Sequence, residues 1–361
     1  MAGRLQLRVG VEHGCVRRVR VENGRPLAAH LLNGRRVDEA VTLASNLFSL
    51  CGQAQGLAAR LAVDAAQGLA PSAPRSRHRA TLVELAQEHL WRLMIDWPQR
   101  LGMTDRREAF ADLHRRLAGA AEAPETAVAG LRALVAESGF AVDAAMDTAA
   151  LRDACRRGGP LGEVLARLID AAPVAVECTA LLPQVGAGAW SARLTDGMPD
   201  AAFCRQPVFD DAPAETGALA RQAKVPVVAS LLAAGRRCAA RVVARVVELA
   251  RVASVLADPA AGPVADAASA SAGVGLACVE TARGLLMHGV RVEAGVVTDY
   301  RIVAPTEWNF HPAGVFFRET LGLKATGDDA ARSQVQCLAL ALDPCVAWDV
   351  ADLEGEEAIR A

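Results

Sequence analysis

Lysine is nearly absent from this chain: Lys224 and Lys324 are the only two among 39 basic residues. The positive charge is therefore almost all guanidinium. It faces 41 acidic residues, for a formal net charge of -2. A balance that close to neutral gives no electrostatic footing for nucleic acid or an anionic membrane surface. Long apolar runs are missing too. No stretch reaches the roughly 20 apolar residues that a helical span needs. Met1-Ala2-Gly3-Arg4-Leu5 has no apolar run after its charge, so no secretory signal is expected. The nine cysteines include no Cys-x-x-Cys pair and no framework spacing, which argues against a structural zinc site or a disulfide scaffold. Thiols mostly buried, in a reducing cytoplasm, are expected. No internal repeat is present.

What the chain has is apolar bulk. With 361 residues, 52% of them hydrophobic, it is long enough for one large core or two domains and too apolar for disorder. Leu5, Leu7, Val9 and Val11 alternate with polar neighbours, and His13-Gly14 and Asn23-Gly24 are turn signals, so residues 1–33 read as a hairpin region. Asp38 is a plausible cap or first-turn acid for a helix through Val41, Ala44 and Leu47, broken near Ser49-Leu50-Cys51-Gly52. Residues 36–256 read as a largely helical body, with an exposed loop at 69–80, helices over 105–119, 125–138, 145–157 and 161–171, a strand-like Val174-Ala175-Val176, and a helix or helix pair over 227–256. Ala, Ser, Gly, Asp and Pro over 257–272 predict a flexible connection.

The richest stretch runs from Glu280 to Asn309. His288, Val290 and Val292 alternate with Gly289, Arg291 and Glu293; Ala294-Gly295 turns the chain, and a second run passes through Tyr300 and Ile302. That hairpin returns Pro305-Thr306 towards Arg283, so a guanidinium, a hydroxyl and free backbone amides share one end of two strands. Such a corner suits an anionic acceptor. Further on, Asp328 to Leu342 reads as a helix that Asp343-Pro344 stops, presenting Cys345. The hairpin, this helix and the Cys345 segment make up 273–351, and 352–361 reads as a loose acidic tail.

Asn46-Leu47-Phe48-Ser49-Leu50-Cys51-Gly52-Gln53-Ala54-Gln55, Arg283-Gly284, Pro305-Thr306-Glu307-Trp308-Asn309 and Asp343-Pro344-Cys345-Val346-Ala347-Trp348 occur in that order. Together they resemble the large subunit of nickel–iron hydrogenases and, more narrowly, its non-catalytic HupK/HoxV-type maturation relatives. The resemblance covers roughly residues 3–68 and 205–350. Ala214 to Arg221 also resembles a hydrogenase segment. The resemblance implies one α+β, predominantly helical domain over 1–361: a shortened large-subunit-like fold with small antiparallel hairpins.

In the hydrogenases two Cys-x-x-Cys pairs hold nickel and an iron that carries two cyanides and one carbonyl. Here Cys51 and Cys345 match one cysteine of each pair. Phe48 and Trp348 stand where the others belong, Asn46 where the first motif has arginine, Gln55 where it has histidine, and Ala351 where the second motif has histidine. Nickel in such a site needs soft thiolates at every protein position, so no nickel and no hydrogen turnover are expected; by the resemblance, Ala351 in place of the histidine removes the end point of the processing signal, so no C-terminal cleavage is expected either. What remains suits the iron fragment. By the resemblance Arg283, Pro305 and Thr306 line the cyanide pocket, Cys51 and Cys345 are the thiolate ligands, and Asp343 and Asp96 are acidic supports, with Asp343 orienting Arg283. Simple carry-over makes Cys51 a bridging type and Cys345 a nickel-terminal type, which gives iron one protein thiolate unless Cys345 swings over. Trp308 is expected in the core, the other cysteines as small apolar side chains. His288 is expected packed or exposed, and His311 near the pocket only as a lesser alternative.

The implied function is a non-catalytic scaffold that accepts an Fe(CN)2CO unit transiently and passes it to the hydrogenase large-subunit precursor. HypC/HypD-type maturation proteins are the other implied partners. The alternatives are a metal-free chaperone or adaptor and, far behind, a catalytic hydrogenase.

Overall fold

The computed structural model describes residues 3–25, 28–48, 50–70, 73–171, 178–258 and 265–353. It opens on a hairpin, β1 (Arg4–Glu12) and β2 (Cys15–Asn23). His13, at φ 51°, and Gly14, at φ 72°, make the left-handed turn between them. Two helices follow, α1 (Val37–Leu47) and α2 (Gly52–Ala66), and the chain between them carries Cys51. Then α3 (Arg75–Trp91) passes through one π-helical turn, Arg92–Asp96, into α4 (Trp97–Arg100). The outer helices are α5 (Arg107–Ala118), α6 (Pro124–Ala136), α7 (Thr148–Arg157) and α8 (Pro160–Asp170). Two short parallel strands, β3 (Ala180–Leu181) and β4 (Ala214–Glu215), flank α9 (Ala187–Ser191). Next come α10 (Ala218–Gln222), α11 (Pro226–Ala233) and the long α12 (Arg237–Ala257).

A four-stranded antiparallel meander follows: β5 (Ala265–Ser271), β6 (Val274–Thr281), β7 (Gly284–Glu293) and β8 (Val296–Val303). The last elements are α13 (Pro305–Asn309), α14 (Val315–Thr320), α15 (Asp328–Leu342) and β9 (Ala347–Asp352).

The meander is the central wall, covered on both faces. Ala277, Val279, Leu286, Val290 and Val292 pack on α1 and α2, while Leu276, Cys278, Leu285 and Met287 pack on Trp190 and Trp308. Strand alternation thus feeds two cores at once, which is why β6 reads as a continuous apolar run rather than an alternating one. Gly275 lets α2 approach β6: any Cβ there would collide with the Ala62 carbonyl. A third core joins the β2-β1-β9 sheet to α14 and α15, and the largest surrounds α12.

The fold departs from the sequence reading in places. Residues 75–80, read as loop, are the first turns of α3, which are largely exposed and so carry no apolar stripe. The connection read over 257–272 contains β5, an Ala/Ser edge strand paired on one side only. The segment after Cys345 is β9, parallel to β1, and Asp352 closes that strand rather than opening a tail. Val174–Val176 and residues 354–361 lie outside the described residues. Among the described residues no helix is long and apolar enough to cross a membrane.

Candidate functional site

Four chain reversals converge, close enough for Cys51 to feel both Cys345 and Arg283. At the first, α15 ends on Asp343, whose φ of 57° is left-handed. Pro344 forbids another helical turn, and Cys345 is delivered beside α13. At the second, α13 begins with Pro305 in its first turn, where proline loses no hydrogen bond, and buries Thr306 behind it. Thr306 Oγ1 accepts the Cys345 N–H at 3.3 Å and lies 3.1 Å from Cys345 Sγ, a contact in which either the hydroxyl or the thiol can donate.

Cys51 stands at the start of α2, at the third reversal. Gln55 Nε2 donates to its sulfur at 3.5 Å, and Gln55 Oε1 takes a 2.8 Å bond from His288 Nε2. His288 Nδ1 in turn lies 2.7 Å from the Tyr300 hydroxyl. Burial pushes His288 down to about 3, so the imidazole is neutral. The tautomer that satisfies both ring nitrogens makes a relay in which every donor points towards Cys51: Tyr300 to His288 to Gln55 to sulfur. Burial, reinforced by the neighbouring Cys345, pushes the Cys51 thiol up to about 12, so without a cation beside it the sulfur keeps its proton. Glu84 caps the same helix start, accepting the Gln53 and Ala54 N–H groups at 2.7 and 3.1 Å.

The fourth reversal, between β6 and β7, carries Arg283. Gly284 at φ 131° is needed there: a Cβ would run into the Thr216 side chain and stand 2.8 Å from Gly217 N. Asn309 braces the turn by donating to the Arg283 carbonyl at 3.3 Å. The Arg283 guanidinium donates to Asp343 at 3.2 Å and Glu88 at 2.6 Å. Burial opposes its charge, but Asp343, Glu88 and Cys345 outweigh that and hold its pKa above the ordinary value.

Asp343 is the hub behind this wall. Besides Arg283 it accepts from Arg92 at 2.7 Å and Arg245 at 2.9 Å. Burial works against its charge, yet Arg283, Arg92 and Arg245 hold the carboxyl far below the usual range. Arg245 also donates to His89 Nδ1 at 3.2 Å, and His89 Nε2 bonds Glu248 at 2.8 Å. Glu88 also pairs with Arg283 and Asp96 with Arg92, so three guanidiniums of this wall are matched by three carboxylates.

The structure thus gathers Cys51, Cys345, Arg283, Pro305, Thr306 and Asp343. Asp96 stands one guanidinium further out: it pairs with Arg92 and accepts from Trp91 Nε1 at 3.2 Å, reaching Asp343 only through Arg92. His311 spends Nδ1 on the Ala313 N–H at 3.1 Å. Trp308 is fully buried against Trp190 and Phe203. Of the other cysteines, Cys178 is exposed, while Cys238 and Cys337 are only partly buried.

Sequence reasoning passed over Arg25, Arg92, Arg245, Glu84, Glu88 and Tyr300. One signal was available: Arg237, Arg241 and Arg245 recur every fourth residue in a stretch, 237–247, that is otherwise apolar, a stripe that must be buried and paired. Arg237 and Arg241 indeed share Glu215 and Glu319 at 2.5 to 2.8 Å.

The arrangement can present two soft sulfurs and, from one side, a charged donor and a hydroxyl to a single small guest. Among the described residues no three His, Cys, Asp or Glu side chains converge as a metal site. Two thiolates alone leave a transition metal short of ligands, so a metal held here brings ligands of its own.

Comparison with known proteins agrees with this geometry. Residues 195–315 match the family described as nickel-dependent hydrogenase. The Ni-Fe-Se hydrogenase from D. vulgaris Hildenborough in its as-isolated oxidized state superposes with a TM-score of 0.56 at 17% identity, over 93% of this chain and 94% of that one. The fold is that of a hydrogenase large subunit, shortened. At the level of sequence the chain is 32% identical to the hydrogenase expression/formation protein HupV of Azotobacter chroococcum mcd 1, over 97% of this chain and 98% of that protein. It is 31% identical to HupK of Rhizobium leguminosarum bv. viciae, over 99% and 98%. The chain belongs to this HupK/HupV/HoxV family of hydrogenase expression/formation proteins.

Proposed function

We propose that this protein serves hydrogenase maturation as a carrier, without turnover of its own, for an Fe(CN)2CO unit. Cys51 and Cys345 offer thiolates to the iron, and Arg283 and Thr306 donate to the cyanide nitrogens. The observation that carries the reading is the junction at Cys345: its sulfur sits against the Thr306 hydroxyl, on the wall where Asp343 and Glu88 hold Arg283. A cyanide nitrogen bears negative charge, so a charge-assisted guanidinium donor and a hydroxyl are the partners it requires. The unit brings three diatomic ligands, which answers the shortage left by two protein sulfurs. The raised Cys51 thiol, which keeps its proton until a metal arrives, suits transient holding, because reprotonation helps release.

The unit would pass to a hydrogenase large-subunit precursor, with HypC/HypD-type proteins upstream, in the cytoplasm. The test is infrared spectroscopy of protein purified from cells with intact maturation machinery. Cyanide and carbonyl stretching bands that vanish in Cys51→Ala support the carrier. Clean spectra with partner binding retained would replace it by a metal-free adaptor, and bound nickel with hydrogen uptake would restore an enzyme.

A further inference from the structure

Two thiols that the proposed carrier does not use meet where α12 packs on α15. Cys238 lies in the first turn of α12 and Cys337 in the third turn of α15. The Cys238 thiol donates to the Cys337 carbonyl oxygen at 3.9 Å, and charge on the Cys337 sulfur is felt at Cys238. Both residues are only partly buried. Their surroundings differ. Arg100, from α4, donates Nε to the Cys337 sulfur at 3.5 Å. The same guanidinium is held by the Ser333 carbonyl and hydroxyl oxygens, at 2.9 and 2.6 Å. Burial, with Cys337 adding to it, pushes the Cys238 thiol up to about 12. We infer that Cys337 and Cys238, brought together by α15 and α12 beside the Arg100 guanidinium, form a modification site: a peroxide-reactive thiol and its resolving partner, which close a reversible disulfide.

The oxidant is a peroxide. Cys337 gives its thiol proton to solvent and attacks one peroxide oxygen as the thiolate. An S–O bond forms and the O–O bond breaks. The departing oxygen takes the electron pair and a proton and leaves as water, so the sulfur, now a sulfenic acid, has lost two electrons. Cys238 then attacks that sulfur. The S–S bond forms, the S–O bond breaks, and the oxygen leaves with the Cys238 proton as a second water. The division of labour follows from the surroundings. A guanidinium N–H supports negative charge on the attacking sulfur. Cys238 keeps its proton until the leaving oxygen needs one, and it is already in place beside Cys337. Closing the bond requires rotation of the two side chains about χ1, not parting of the helices. Cys337 precedes Asp343 by six residues and Cys238 precedes Arg245 by seven, and Asp343 and Arg245 are joined at 2.9 Å. The disulfide is therefore a second tie along the same helix pair, and it anchors the helix that delivers Cys345. No bound metal is needed for it.

The test uses the full chain, reduced, then exposed to hydrogen peroxide, alkylated and digested without reductant for mass spectrometry. A peptide pair joining Cys238 to Cys337 should appear, lighter by two hydrogen atoms than its separate halves, and should vanish on treatment with dithiothreitol. Cys238→Ser should stop at the sulfenic acid of Cys337, which dimedone traps. Arg100→Gln should slow the loss of the Cys337 thiol by about fivefold or more. If that variant does not fold by circular dichroism, Arg100→Met, which keeps much of the side chain's bulk, replaces it. Absence of the link in wild type overturns the inference, and so does a rate of Cys337 loss that the Arg100 variants leave unchanged.

Discussion

Thr306 and Cys345, 39 residues apart in sequence, exchange two contacts: a hydroxyl–sulfur approach of 3.1 Å and a 3.3 Å bond from the Cys345 amide. One hydroxyl thus holds both the amide and the sulfur of Cys345 in place. Thr306→Val keeps the shape and loses both. The iron unit should be retained about fivefold less well, equivalent to roughly 1 kcal/mol, and a cyanide stretch should shift. Thr306→Ser should behave as wild type. Metal analysis with infrared spectra checks both.

Asp343 accepts from three arginines at once. Asp343→Asn should destabilise the fold by about 3–5 kcal/mol in a denaturant titration, because Arg92, Arg245 and Arg283 lose their common anion. Arg92→Gln in the same chain should recover part of the loss. The carboxyl pKa is depressed, so its stabilisation is present above the ordinary carboxylate value and lost as pH falls below about 4. Asp343→Asn should therefore show a shallower loss of stability in acid than wild type.

Glu84 has the opposite sign. Burial, with Glu88 beside it, raises it to about 7 despite the two backbone donors. A carboxyl raised in the folded state favours folding fully below its unfolded value near 4.5, and that contribution fades as pH rises towards 7. The stability difference between wild type and Glu84→Gln should move against wild type from pH 4.5 to 7.5, by at most about 3 kcal/mol. Paired unfolding curves across that range measure it, and a flat difference would show that Glu84 ionises normally.

Gln55 links two groups that need it. Gln55→Leu leaves His288 Nε2 unpaired among apolar neighbours and removes the donor from Cys51. The expected cost is about 1–3 kcal/mol of stability. If the iron unit is held at Cys51, its carbonyl band should shift as well. Gln55→Glu would put an anion beside the sulfur and should weaken retention further than Leu does.

The sequence made some of this legible and hid the rest for physical reasons. Period-two alternation around His288 located β7, and Ala294-Gly295 fixed its turn, because one face of that strand ends in polar Arg291 and Glu293. β6 is apolar on both faces, so it carried no such mark. The stop of α15 at Asp343-Pro344 was local chemistry and could be read directly. The three-way pairing of Asp343 was not, since Arg92 comes from 251 residues away and Arg245 from 98. The Tyr300–His288–Gln55 relay was likewise invisible: a strand pair and a helix must first be packed face to face before its spacing exists. Arg25 gave no signal because its partners, Phe48 and Glu307, belong to two other motifs.

The parallel seam between β9 and β1 sets an order of events during synthesis. Cys51 leaves the ribosome long before Cys345, and the strand that secures Cys345 leaves after both. A nascent chain therefore carries one sulfur, an unfinished sheet edge and no crevice. The two sulfurs and the seam behind them therefore stand together only after translation has passed residue 352.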